Sequence, residues 1–60
     1  MKPKDLLKIL QADGWQVARI NGSHYILKHP TKWGMPIIPM PNKDLRIGTY
    51  RKILQQAGIE

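Results

Sequence analysis

Apolar residues recur at three- and four-residue spacing near both ends of the chain, and the stretch between them reads as extended. Near the start, Leu6, Leu7 and Leu10 fall on one side of a helical wheel, with Ile9 widening the stripe. Pro3 fits the first helical position, and Asp5 sits in the first turn, where the helix dipole favours an anion. Gly14 adopts a left-handed conformation cheaply, so the spacing predicts a helix over residues 3–13 that stops there. Trp15 follows as an apolar residue able to fold back onto the last turn. Near the end, Tyr50, Ile53, Leu54 and Ala57 form a second stripe. It predicts a helix over residues 47–57, stopped by Gly58 and capped by Ile59.

Between the stripes, residues 15–20 read as a strand. Asn21-Gly22 is the strongest local signal, because both central positions of a type I′ turn need positive φ. Residues 23–29 are then the returning strand, ended by Pro30 and a loop over residues 30–34. Residues 35–40 form a third extended segment. Pro36 and Pro39 cannot donate to a ladder, which places it at a sheet edge. Residues 41–46 form a polar connection. The expected fold is α+β, in the order α-β-β-β-α. A three-stranded antiparallel sheet carries both helices on one face and leaves the other to solvent.

Length and charge narrow the picture. Sixty residues make one domain, 1–60, whose thin core buries only about 60% of the unfolded surface. With no cysteine there is no disulfide, which suits a reducing cytosol and a cytoplasmic location. No apolar run approaches the ~18 residues of a membrane span, and no signal peptide is expected. Ten Lys and Arg against four Asp and Glu give a net charge of +6, which favours a polyanion as partner. The basic residues are dispersed, so they do not make a disordered basic tail.

The two histidines differ in setting. His24 and His29 are five apart and point to opposite faces of a regular strand. With no cysteine and no carboxylate pair beside them, no metal site and no cofactor is expected. The ordinary reading of a strand histidine is a solvated or hydrogen-bonded residue, and His29 fits it. For His24 a two-residue Asn21-Gly22 turn would pair Arg19 with His24, whereas a longer loop with a bulge would shift that pairing. Arg19, His24 and Lys28 would then share a face with Trp15, Val17 and Ile26 as neighbours. An imidazole beside a guanidinium and an ammonium suits a phosphate: the ring moves a proton while the cations hold the anion. RNA cleavage needs little more, because the 2′-hydroxyl is an internal nucleophile.

Gly14-Trp15, Arg19, Gly22-Ser23-His24, His29-Pro30, Ile38-Pro39, Gly48-Thr49, Arg51, Ile53-Leu54 and Ala57-Gly58-Ile59 occur in an order that resembles the HicA (YcfA-like) toxin family over nearly the whole chain. The resemblance implies a fold like the double-stranded RNA-binding domain. It implies an mRNA interferase, a metal-independent endoribonuclease neutralised by a HicB-type antitoxin. The family's catalytic histidine falls on His24, with Gly22 and Ser23 shaping the turn and Arg19 supplying charge. Pro41 stands where members often carry a further histidine, and Tyr50 where many carry leucine. Lys28, Lys43, Arg46, Arg51 and Lys52 are candidate RNA contacts, and the last four read equally as a solvated helix face. Lys32 and Trp33 read as a basic-aromatic pair in the loop after the second strand. Trp33 is expected to pack under that loop, with stacking on a base or insertion into a partner as alternatives. Met35 and Met40 are flexible apolar residues near an edge where an antitoxin could dock. The rival functions are a non-catalytic RNA-binding module and a protein-interaction domain for which the charge is incidental.

Overall fold

Both helices end in the same motif, and those endings organise the core. The computed structural model describes residues 1–40 and 44–59. Helix α1 spans Pro3–Ala12 and helix α2 spans Ile47–Gln56. At the end of α1 the Gly14 N–H donates to Gln11 O at 3.0 Å and the Trp15 N–H to Leu10 O at 3.0 Å. At the end of α2 the Gly58 N–H donates to Gln55 O at 3.1 Å and the Ile59 N–H to Leu54 O at 3.0 Å. These are Schellman motifs: each satisfies two orphan carbonyls and turns an apolar residue back over the helix. Trp15 is thereby driven inside, at 1% exposure. Its indole Nε1–H donates to Ala57 O at 3.1 Å and joins the two helix ends. Gly14 is required twice over. Its φ is +104°, and a Cβ there would lie 2.7 Å from Nε2 of His29.

Three strands, β1 (Gln16–Asn21), β2 (His24–Lys28) and β3 (Ile37–Pro39), form an antiparallel sheet in the order β1-β2-β3. Leu6 and Leu10 from α1, Ile53 and Leu54 from α2, and Ala57 after it pack with Trp15, Leu27 and Ile38 in one cluster. Both helices therefore cover the same sheet face, as the pattern predicts. Ile9 does not join them. It is 37% exposed, so the α1 stripe is narrower than its leucines and isoleucine suggest. The third strand is at an edge but shorter than residues 35–40. The strand proper is only Ile37–Pro39, and Gly34 at φ +99° lies before it. Pro36 has no N–H to donate, although its carbonyl still accepts from the Leu27 N–H at 3.0 Å.

The hairpin departs from expectation. Asn21 pairs with His24, so the two-residue loop is Gly22-Ser23, with Gly22 at φ +63°. Ile20 pairs with Tyr25, Arg19 with Ile26, and Val17 with Leu27. The register shifts between Val17 and Arg19, where Ala18 is the extra residue of a bulge. A loop centred on Asn21-Gly22 would put Val17 opposite Ile26 and away from Leu27. The shifted loop and the bulge instead bring Val17 beside Leu27, against the core. A one-residue slip reverses every side chain, so burial of Val17 outweighs the local turn preference.

Candidate active site

The bulge also determines what faces solvent. On a regular strand Val17 and Arg19 would share a face; here Val17 packs inward, and Arg19 pairs with Ile26 on the helix-free side. Trp15 and Val17 are therefore not neighbours of His24, contrary to the sequence expectation. Arg19, Asn21, His24, Ile26, Lys28, Ile37 and Pro39 occupy the open face, as their register pairs require. His24 sits on the central strand, with Asn21 across on β1 and Pro39 across on β3.

Arg19 is diagonal to His24 rather than opposite it. Diagonal neighbours lie ~7–8 Å apart, within reach of a long guanidinium side chain. Lys28 is four residues along the same strand, roughly 13 Å away at ~3.3 Å per residue. The register thus places Arg19 within reach of His24 and leaves Lys28 at the far end of the face. His24 is exposed, and its ring has no hydrogen bond or ion pair among the described residues. The Met40 N–H donates to Ser23 O at 2.7 Å, so β3 braces the loop that precedes His24. Asn21 is a site neighbour that sequence reading missed, because it was assigned to the turn. Ile26 is shielded too, at 7% exposure, although it lies outside the core cluster.

His29 has the opposite character. Its Nδ1 accepts the N–H groups of Thr31 and Lys32, each at 3.1 Å, so Nδ1 carries no proton. Nε2 lies 2.8 Å from Asp13 O and must be the donor, which fixes the neutral Nε2–H tautomer. The ring packs edge-on against Trp15, with centroids 5.1 Å apart. His29 is thus the hydrogen-bonded structural histidine its position suggests. Lys32 joins this cluster through an ion pair with the Asp13 carboxylate and a 3.3 Å bond to Ala57 O. It is therefore not paired with Trp33, which is 95% exposed instead of packing under the loop.

The Lys32 hydrogen bond, reinforced by the Lys32 charge, holds the Asp13 carboxyl below its ordinary value of 3.8. A lowered folded-state value means that the contribution to stability is present above the unfolded value and lost as pH falls through the folded one. Asp13→Asn should therefore destabilise the protein at pH 7, and the difference from wild type should shrink as pH falls below the ordinary carboxyl value of 3.8 and through the lower folded-state one. Urea unfolding of both proteins across that range measures it. A gap that does not narrow as the pH is lowered below 3.8 would mean that the carboxylate charge is not what matters.

Among the described residues, the candidate RNA-contacting cations are divided between two layers. Lys28 lies on the open sheet face. Arg46 is the N-cap of α2, and Arg51 and Lys52 are exposed on that helix, in the other layer. Lys43, like Pro41, lies outside the described residues. Among the described residues no three His, Cys, Asp or Glu side chains cluster as metal ligands. No helix is long and apolar enough to cross a membrane.

These features define a small basic α+β domain of order α-β-β-β-α, with one sheet face open and an exposed histidine at a hairpin shoulder. The profile of the HicA toxin of bacterial toxin-antitoxin systems matches residues 3–59, and the chain belongs to that family. Nothing among curated proteins matches it.

Proposed function

We propose that this toxin is an mRNA interferase: an endoribonuclease that needs no metal, cleaves mRNA, and is neutralised by a HicB-type antitoxin. The observation that carries the reading is the placement of His24, exposed on the central strand and without a partner among the described residues, with Arg19 diagonal to it on the open face. Histidine is the side chain whose ordinary charge change falls near neutral pH, so it suits proton transfer. In the reaction the ribose 2′-oxygen attacks the adjacent phosphorus and loses its proton. The bond from phosphorus to the 5′-oxygen breaks, and that oxygen gains a proton. The products end in a 2′,3′-cyclic phosphate and a 5′-hydroxyl. His24 handles one of these two protons, and Arg19 stabilises the charge on the non-bridging oxygens. Gly22 and Ser23 set the turn that holds the imidazole. At roughly 13 Å along the strand, Lys28 binds a different phosphate of the same RNA. Arg46, Lys43, Arg51 and Lys52 add charge that draws RNA from solution.

The test uses an RNA oligonucleotide that the purified chain cleaves. A single 2′-deoxy substitution at the cleaved nucleotide should reduce cleavage there to background, with binding retained. Cleavage that persists would show that water or another group attacks phosphorus, and the internal-nucleophile chemistry would be wrong.

A further inference from the structure

Residues 33–40 carry no charged side chain, in a chain with ten Lys and Arg. Within them Trp33, Met35 and Ile37 are 95%, 55% and 47% exposed, while Pro36 and Ile38 are buried. Trp33 is held on a fastened loop. His29 Nδ1 receives the N–H groups of Thr31 and Lys32, and the Lys32 ammonium bonds Asp13 and Ala57 O. An indole kept in water on such a support exposes a large apolar area that a partner can bury. Nucleic acid is the weaker fit, because grooves that stack bases also carry cations along the backbone, and this segment has none. Trp and Met are enriched at protein interfaces, where charged residues are depleted.

We infer that Trp33, Met35 and Ile37 form a docking strip for the antitoxin, separate from the groups that perform the chemistry. The inference rests on membership of a toxin-antitoxin family for the existence of that partner. Ile37 pairs with Ile26, which pairs with Arg19, so the strip continues across the open face into basic ground. The complementary antitoxin surface is apolar where it meets the strip and acidic where it reaches Arg19 and Lys28. Pro39 pairs with His24, so β3 lies one strand spacing, ~4.8 Å, from the strand of His24. Ile37 is diagonal to His24 across the β2–β3 pair, so an occupant seated on that end of the strip lies beside the imidazole and hinders the entry of RNA. Recognition and cleavage use different residues, so they can be separated by mutation.

The test uses the double variant Trp33→Ser, Met35→Ser, with the antitoxin obtained as the protein that suppresses growth arrest by the wild-type chain. Affinity is measured on chains that also carry His24→Ala, so the result does not depend on the nuclease reading. The double variant should bind antitoxin ~30-fold or more weakly, as expected for an interface hot spot. With His24 present it should still arrest growth and escape neutralisation. Unchanged antitoxin affinity would overturn the inference. So would a loss of RNA affinity with antitoxin binding intact, which would make the strip an RNA surface. A wild-type dimer that the double variant cannot form, again with antitoxin binding intact, would assign the strip to a second copy of the chain.

Discussion

His24→Ala should remove RNA cleavage and growth arrest while leaving the protein folded and able to bind RNA. The ring is exposed and has no partner among the described residues, so no hydrogen bond or ion pair among them is lost with it. A surface substitution of this kind changes stability by about 0.5 kcal/mol or less. Loss of a general acid or base costs roughly 10²–10⁴-fold in rate. A ribonuclease slowed that far should no longer arrest growth. RNA affinity should hardly change, because it comes from cations that respond to salt and not from one imidazole. Cleavage rate, RNA affinity and thermal unfolding measured on the same preparation separate the three effects. If the variant cleaves at the wild-type rate, the chain moves its protons elsewhere. His24 is then only a contact, as in a non-catalytic RNA-binding module.

The elements were legible where local chemistry and tertiary packing agree. Gly14 and Gly58 mark both helix ends, because a left-handed residue followed by an apolar one has little other use there. Pro36 and Pro39 mark the edge strand, because they lack the donor an inner strand needs. The hairpin register was not legible. Asn21-Gly22 is the favoured turn, yet the chain places Gly22-Ser23 in the loop and absorbs Ala18 in a bulge so that Val17 reaches the core. Arg19, His24 and Lys28 do fall on one face, but through a register different from the expected one. Asn21 was missed for the same reason.

The environments of Lys32 and Trp33 were also beyond sequence reading. They look like a basic-aromatic pair, but Lys32 turns toward Asp13 and Ala57 O, partners distant in the chain. Trp33 is left in solvent. Only the meeting of both helix ends with the loop after β2 decides this, and no local pattern encodes that meeting. His29 was read correctly in kind, as a hydrogen-bonded histidine. Its role as acceptor for two loop N–H groups depends on the fold of residues 29–32.

The same meeting point sets the largest effect on stability, expected for Trp15→Ala. Trp15 is among the largest fully buried side chains, and it ties the ends of both helices to the sheet. Truncating a buried Trp costs ~3–5 kcal/mol through lost transfer energy and the cavity left behind. A domain of 60 residues has roughly 3–9 kcal/mol in all at 0.05–0.15 kcal/mol per residue. The substitution should therefore leave the chain largely unfolded at 37 °C by circular dichroism. Trp15→Phe should be milder, because it keeps most of the apolar volume. It removes the bond to Ala57 O, but Lys32 Nζ still reaches that carbonyl at 3.3 Å, so the acceptor is not orphaned. A loss of about 1 kcal/mol for that bond, with the smaller ring adding to it, lowers Tm by ~4–8 °C or more. Trp33→Ala is the internal control: at 95% exposure it should leave the melting curve in place. If Trp15→Ala melts within a few degrees of wild type, the core does not hinge on this indole, and the helix ends must be held by the His29 and Lys32 bonds alone.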